Sequence, residues 1–160
     1  MKAKVSTGAA LVVKDLHKCF GSLEVLRGVS LVANTGDVIS MLGASGSGKS
    51  TLLRCINLLE TPNSGSISVH GEHIRMTTDR RGDSVPADMK QVIRIRAKLG
   101  MVFQNFNLWE HMTVLENVTE ALIHVLKMKK MEAKEQAELV LNKVGMYDSC
   151  LLYTSDAADE

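Results

Sequence analysis

The sequence predicts an α/β fold, and two observations carry that prediction. A short apolar run, Val38–Leu42, is followed by a glycine-rich stretch and then by an amphipathic helical pattern that begins at Lys49. Segments with alternating, β-branched residues precede this unit, and further amphipathic helical patterns follow it. With 160 residues, 45% of them apolar and 23% charged, the chain has the size and composition of about one globular domain.

The N-terminal segments predict strands joined by turns. Leu11–Phe20 alternates in the way of a strand, and Gly21-Ser22 is a turn signal. Leu23–Leu26 starts a second strand, and Val29–Ala33 is a candidate third strand that closes at the turn residues Asn34–Asp37.

The run Val38–Leu42 is almost entirely apolar, which predicts a buried, central strand. After the glycines, the helix that begins at Lys49 should turn one apolar face inward and end at Pro62. That predicted face consists of Leu52, Leu53, Ile56 and Leu59.

The middle of the chain is less regular. Ser66–Val69 predicts a strand that enters a hairpin at Gly71, and the polar stretch Arg75–Met89 predicts a surface loop. Gln91–Ala97 is a candidate short basic helix, and Leu99–Phe103 predicts another apolar strand.

Two amphipathic helices are predicted towards the C-terminus. The first begins at a capping box formed by Thr113 and Glu116, and its shared face is Val114, Val118, Ala121, Leu122 and Val125. The second covers about Glu132–Val144 and stops at Gly145. Its predicted inward residues are Ala133, Ala137, Val140, Leu141 and Val144.

Charge and composition exclude several classes of function. With 19 Lys and Arg against 18 Asp and Glu, the net charge is +1, which gives no electrostatic case for nucleic acid as a partner. The sequence holds no apolar run of about 18 residues, so no transmembrane segment is predicted. Cys19, Cys55 and Cys150 lack metal-binding spacing and are predicted to be free thiols in a reducing compartment.

The strongest motif is the phosphate loop, Gly43–Ser50, which fits the pattern G-x-x-x-x-G-K-S/T between a predicted strand and a predicted helix. Tight turning with inward-pointing amides needs glycine, here at Gly43, Gly46 and Gly48, and the intervening Ser45 and Ser47 lie in the same loop. Such amides and the positive end of the helix form an anion site. The alternative is a chance glycine turn, which the strand and helix context makes improbable.

Each polar side chain of the loop has a predicted task. Lys49 should reach the β- and γ-phosphates of a nucleoside triphosphate as a point charge. Ser50 should offer its hydroxyl to Mg²⁺, and Thr51 is placed to bond the α-phosphate. The motif therefore predicts a nucleotide-binding protein but does not identify the class.

Further motifs resemble the N-terminal half of ABC transporter ATPases. In chain order they are Asp15–Phe20, Leu26–Leu31, Gly36–Ile39, Leu53–Glu60, Pro62 with Gly65–Ile67, and Gly100–Gln104. The segment Phe106–Val118 is most similar to the polar amino acid importers of the histidine and lysine/arginine/ornithine type. The resemblance covers about Leu11–Gly145.

The resemblance implies roles for three further sites. Phe20 matches the aromatic residue that stacks on adenine, although an ordinary strand-end core aromatic would look the same. Gln104 matches the glutamine that contacts Mg²⁺ and the attacking water. Together with the phosphate loop, this gives Lys49 and Gln104 as the candidate catalytic residues. The candidate metal ligands are Ser50 and Gln104. Leu108–Thr113 matches the surface that receives a helix of the membrane permease subunit.

The family also implies an architecture, cofactors and partners. The expected fold is a P-loop NTPase core with an antiparallel β subdomain and part of a helical subdomain. The expected cofactors are ATP and Mg²⁺, and the expected partners are a second ATPase subunit, in a head-to-tail dimer, and the permease subunits. The expected activity is hydrolysis of ATP to drive import of polar or basic amino acids, at the cytoplasmic, inner face of the cell membrane.

Several family motifs are absent from this sequence. It has no Leu-Ser-Gly-Gly-Gln signature, no apolar strand ending in Asp-Glu and no switch histidine after it. We therefore expect residues 1–149 to be the N-terminal part of an ABC nucleotide-binding domain that does not hydrolyse ATP by itself. Residues 150–160 look like the translation of a transposon-end adapter from a sequencing library, and we expect this tail to be non-native.

Two other functions remain open from the residues. A small stand-alone P-loop kinase or GTPase would suit the length. Such a protein would need an acidic metal ligand on a later apolar strand or an Asn-Lys-x-Asp motif, and the sequence shows neither. Asn142-Lys143 lacks the Asp of that motif. A non-catalytic module that binds a membrane subunit through Leu108–Leu126 is the other alternative.

Overall fold

The computed structural model describes residues 8–105 and 107–153. These form two compact units, of which the first ends at Leu99 and the second begins at Gly100. In the first unit the elements are β1 (Ala9–Phe20), β2 (Leu23–Asn34), α1 (Lys49–Ile56), β3 (Ser64–Val69), β4 (Glu72–His73), β5 (Met76–Thr78), β6 (Ser84–Pro86) and α2 (Met89–Arg96). In the second they are α3 (Val114–His124) and α4 (Lys130–Lys143).

An antiparallel sheet with the strand order β2-β1-β3-β4 forms the frame of the first unit. β1 and β2 meet at the predicted turn, where Gly21 has φ +58°. β2 is one strand, so the predicted break into two strands is wrong. Its Gly28 has φ +73° and lies where the register with β1 shifts, which makes the break a β-bulge within a continuous strand.

β1 has a second bulge at Asp15, whose φ is +49°, where the register shifts between Val13 and Leu16. The Asp15 backbone N–H donates to Ser30 Oγ at 2.9 Å. β3 approaches the bulge so closely that a Cβ on Gly65 (φ +98°) would lie 2.4 Å from the Asp15 carbonyl oxygen. Only glycine fits at that crossing.

The core of the first unit lies between this sheet and the helices α1 and α2. Val13, Leu16 and Cys55 are fully buried at its centre. Burial raises the pKa of the Cys55 thiol to about 11, so this cysteine is a small apolar core residue. All three cysteines are free thiols, as predicted.

α2 is attached through one buried amide. Gln91 Nε2 donates to Glu72 Oε1 (3.1 Å) and to the His73 carbonyl (3.0 Å), and Gln91 Oε1 accepts from the Arg75 N–H (3.1 Å). Arg94 also pairs with Glu72, and this pairing lowers the pKa of that carboxyl group. These hydrogen bonds offset the cost of removing the Gln91 amide from water, so the side chain can be buried.

Two predicted strands are not formed. Val38–Leu42 is irregular, with Val38 93% and Leu42 95% exposed, and Leu99–Phe103 is irregular, with Val102 98% exposed. A buried strand needs a hydrogen-bonded neighbour along its backbone. Among the strands that the structure describes, none pairs with either segment.

Arg75–Met89, predicted as a loop, contains the hairpin β5–β6 and the first residue of α2. Asp79 organises the turn, because its Oδ1 accepts from the N–H groups of Arg81 (2.8 Å) and Asp83 (2.9 Å). An Asp side chain that bonds the backbone ahead of it is a strong turn former.

The second unit contains the capping box as predicted. Thr113 Oγ1 accepts from the Glu116 N–H (3.2 Å), and Glu116 Oε2 accepts from the Thr113 N–H (2.8 Å). These bonds from Thr113 hold the pKa of Glu116 below its usual value. Ala133, Ala137 and Leu141 of α4 are buried as predicted.

Other apolar residues differ from the prediction. Leu53, Leu59, Val125, Val140 and Val144 are exposed, because α1 ends at Ile56 and the buried stripes of the helices are narrower than their apolar faces. Cys150 packs with Val114 and Leu141. No helix within the described part of the chain is both long and apolar enough to span a bilayer.

His17 lies between two carboxylates on the β1–β2 hairpin. Its Nδ1 is 3.0 Å from Glu24 Oε1, and its Nε2 is 3.4 Å from Asp15 Oδ1. The hydrogen bond with Glu24, followed by the contact with Asp15, raises the pKa of His17 above its ordinary value of 6.5.

We predict that this cluster stabilises the fold more at low pH than at high pH. Because the folded-state pKa is raised, the stabilisation is fully present below the unfolded-state pKa of about 6.5 and is lost as pH rises through the higher folded-state pKa. The free energy of unfolding of the wild type relative to His17→Gln, measured by urea denaturation at pH 5.5 and pH 8.5, should therefore be larger at pH 5.5. A difference that does not change with pH would contradict this role for His17.

Candidate functional site

The phosphate loop joins the exposed Val38–Leu42 segment to α1. Gly46 and Gly48 have φ +78° and +90°, which side-chain-bearing residues rarely adopt. Gly48 is also the N-cap of α1, and a Cβ there would lie 3.1 Å from the Val25 carbonyl oxygen. At Gly43 a Cβ would lie 2.6 Å from Ser47 Oγ. Backbone shape thus favours glycine at positions 46 and 48, and close packing against β2 adds to this at position 48.

Lys49 folds its side chain back over the loop. Its ammonium donates to the carbonyl oxygens of Gly43 (2.7 Å) and Ala44 (2.8 Å), and Ser47 Oγ lies 3.3 Å away. No carboxylate is among these partners. The cation is therefore held on the loop by uncharged oxygens and keeps its attraction for an anion.

The first turn of α1 is also suited to bind an anion. It contains no acidic residue, and no side chain caps its N–H groups, so the positive end of the helix dipole is not neutralised there. Ser50 is exposed and Thr51 is partly buried in this turn, and Ser45 is exposed in the loop. Backbone N–H groups, an ammonium and hydroxyls form a donor set that fits a phosphate chain, and the Ser50 hydroxyl could serve as one Mg²⁺ ligand.

Phe20 ends β1 and pairs with Leu23 across the hairpin turn. Its side chain is 46% exposed, which leaves ring surface for a ligand to contact. The Lys18 ammonium lies over the ring, 4.8 Å from the centroid. The loop packs against β2 at Val25, and β2 pairs with β1, which carries Phe20. The β1–β2 hairpin therefore supports both the loop and the ring.

Gln104 belongs to the second unit, where it is exposed in a bend after Leu99–Phe103. The predicted site residues of the first unit share one folded framework, and the part that Gln104 plays stays a prediction. Among the described residues, no group of three His, Cys, Asp or Glu side chains is arranged to hold a metal ion.

The segment Leu108–Thr113 lies in the second unit, ahead of α3. Leu108 and Trp109 are each 50% exposed. Asn117 holds the segment: its Oδ1 accepts from the Trp109 N–H (2.9 Å), and its Nδ2 donates to the carbonyls of Trp109 (3.1 Å) and Thr113 (3.1 Å). The exposed apolar side chains are thus carried on an ordered backbone.

Two contributors to these regions were missed by sequence reasoning. Lys18 precedes Phe20 by two positions on a strand, a spacing that places both side chains on one face, and this signal could have found it. Asn117 was noted only as part of a motif. Its four-residue offset from Thr113 on a helix would have suggested a bond to the preceding carbonyl.

A family model described as ABC transporter matches residues 26–158. The chain is 59% identical over 136 residues to the histidine/lysine/arginine/ornithine transport ATP-binding protein HisP of Escherichia coli, covering 85% of this chain and 53% of the relative. It is 58% identical over 136 residues to the arginine/ornithine transport ATP-binding protein AotP of Pseudomonas aeruginosa, covering 85% and 54%.

A solved structure agrees with the fold. A dimeric ATP-binding cassette, in a post-hydrolysis state with ADP and Pi, aligns with a TM-score of 0.74 at 28% identity, covering 91% of this chain and 62% of that one. The chain spans about half the length of the two transport relatives. The predicted α/β architecture with antiparallel strands and part of a helical subdomain is confirmed by these matches.

We predict that Gly48→Ala weakens binding of Mg-tripolyphosphate more than Gly46→Ala does. Both changes place alanine at positive φ, at a cost of about 1–2 kcal/mol. Only position 48 adds a close approach to Val25, whereas a Cβ at Gly46 meets nothing within 4 Å. Isothermal titration calorimetry of the two variants and the wild type provides the comparison, and equal affinities for the two variants would argue against the packing role of Gly48.

Proposed function

The chain belongs to the ABC transporter family, and from that membership we propose that it is the ATP-binding part of an ATPase subunit that energises import of polar and basic amino acids. The observation that carries the proposal is the placement of Lys49, whose ammonium is held on the loop by two carbonyl oxygens beside the uncapped start of α1. The names of the two transport relatives support the substrate class.

The residues take the following parts in this proposal. The loop amides of Gly43–Gly48 and the Lys49 ammonium hold the β- and γ-phosphates of ATP, and Thr51 bonds the α-phosphate. The Ser50 hydroxyl would hold Mg²⁺, which when bound would neutralise phosphate charge, and the resemblance to the family assigns Gln104 as the other protein ligand. Gln104 also positions the attacking water, and the Phe20 ring stacks on adenine.

We further propose that residues 1–149 carry this function and that the tail from Cys150 adds no chemistry to it. The chain alone binds Mg-ATP weakly and does not turn it over, because hydrolysis in this family requires the signature, Asp-Glu and switch-histidine motifs, which this sequence does not contain. In the complete protein, two such subunits pair head to tail and dock on permease subunits at the inner face of the membrane, through Leu108–Thr113.

The test of ATP binding is the substitution Lys49→Ala. We expect Mg-ATP affinity to fall at least tenfold, because the ammonium that attracts the β- and γ-phosphates is lost. Isothermal titration calorimetry would measure the affinity. The matched control is Lys90→Ala, which removes the same charge from an exposed position on α2 of the same unit. Unchanged affinity in Lys49→Ala would refute the phosphate-loop assignment.

The test of docking is the substitution Trp109→Ala. We expect weaker capture of the chain by a detergent-solubilised permease subunit. The Trp109 side chain is 50% exposed, and the substitution removes this exposed apolar surface from the contact. Leu139→Ala, at a 55% exposed apolar residue on α4, is the control and should bind normally. Equal capture of both variants, measured by pull-down without nucleotide, would exclude Leu108–Thr113 as the contact.

A further inference from the structure

The Lys18 side chain connects two parts of the first unit. Its ammonium donates to the Thr61 carbonyl at 2.8 Å and lies 3.4 Å from Glu60 Oε2. The side chain is only 13% exposed. This ammonium is thus fixed from one side by the segment that follows α1.

The same ammonium also contacts the Phe20 ring. The distance from Nζ to the ring centroid is 4.8 Å, within the range of a cation–π contact. Because Lys18 and Phe20 are two residues apart on β1, their side chains lie on one face of the strand. The ring itself remains 46% exposed. A flat ligand can therefore stack only on the ring face that is turned away from the ammonium.

The segment after α1 is tied to this end of β1 at two more points. The Cys19 N–H donates to Asn63 Oδ1 at 2.7 Å, and the Asn63 N–H donates to the His17 carbonyl at 2.9 Å. The segment also returns to α1, because the Glu60 N–H donates to the Arg54 carbonyl at 3.0 Å. α1 begins at Lys49 of the phosphate loop. A bonded path thus runs from the loop, through α1, to the ammonium above Phe20.

We propose that Lys18 is a positioning residue for the nucleotide base: it holds the Phe20 ring in place by covering one face and anchors that ring to the segment after the phosphate-loop helix. This inference rests on the proposed function, since it assumes that Phe20 stacks on adenine. It adds a residue that acts through Phe20 without contacting the nucleotide. Its consequence is selective: Lys18 contributes to binding of the base and not to binding of the phosphates.

The test uses the full chain and two probes, Mg-ATP and Mg-tripolyphosphate, the second of which has no base. Lys18→Met keeps the aliphatic stem and removes the cation. We expect it to weaken Mg-ATP binding about fivefold, the size of a partly exposed cation–π contact, and to leave Mg-tripolyphosphate binding unchanged. Lys18→Arg, which keeps a cation and donor, should restore Mg-ATP affinity. Lys14→Met, at an exposed lysine of the same strand, is the control and should bind both probes normally.

A double-mutant cycle adds a readout that a purely structural role would not move. In a Phe20→Leu background, Lys18→Met should cause no further loss of Mg-ATP affinity, because the ring through which it acts is absent. Additive losses would overturn the proposal. An equal loss of affinity for both probes in Lys18→Met would also overturn the proposal, since Lys18 would then support the fold as a whole. An unchanged Mg-ATP affinity in Lys18→Met would overturn it as well.

Failure of the proposed function has a different signature. If Lys49→Ala leaves both probes bound, the phosphate site is wrong. If the wild type binds Mg-ATP no better than Mg-tripolyphosphate and Phe20→Leu changes neither, the base site is wrong. A loss of Mg-ATP affinity in Phe20→Leu without any effect of Lys18→Met overturns the role of Lys18 alone.

Discussion

The close contact between the Gly48 backbone and strand β2 is the constraint on which the candidate site depends. Position 48 combines φ +90° with a carbonyl oxygen of Val25 3.1 Å from where a Cβ would lie, so a side chain there would be strained and would force its neighbours to shift. Because the loop is seated on β2 at this point, α1 starts against the sheet. Its residues Leu52, Cys55 and Ile56 then enter the core of the first unit. Anion-binding geometry and core packing thus share one backbone contact.

The far end of α1 is connected to the sheet as well. Bonds from Lys18 to the Thr61 carbonyl and from the Asn63 N–H to the His17 carbonyl join the segment after the helix to β1. The phosphate loop and the Phe20 ring therefore lie on elements that are linked at both ends of one short helix. Elements linked in this way hold the two predicted binding groups in place before a ligand binds, and such preorganisation lowers the entropic cost of binding.

Several charged side chains in the described part of the chain are paired over short distances. His17 lies between Asp15 and Glu24, and Arg94 pairs with Glu72. Lys49 differs, because its hydrogen bonds go to neutral oxygens. A lysine whose charge is neutralised by a carboxylate attracts phosphate poorly, whereas one that is oriented by carbonyl oxygens retains its full charge. Lys49, the lysine of the phosphate loop, is therefore suited to attract an anionic ligand.

The sequence by itself determined the features that depend on neighbours within a few residues. The phosphate loop with its glycines, the start of α1, the turn at Gly21 and the Thr113–Glu116 capping box all follow from local backbone geometry and short-range hydrogen bonds. The resemblance of the motifs to ABC transporter ATPases also required only their order along the chain, and the family match agrees with it.

Only the tertiary structure decided features that need partners distant in the sequence. Val38–Leu42 is apolar enough for a buried strand, yet it is exposed, because a strand forms only beside a bonded neighbour and the described residues supply none. The two strands predicted on either side of Gly28 are one strand, because β2 pairs with β1 both before and after the bulge at Gly28. The Lys18 ammonium lies over the Phe20 ring because it also donates to the carbonyl of Thr61, 43 residues further along the chain. Hydrogen bonds and packing across such separations are set by how the chain folds back on itself, and local sequence patterns do not encode them.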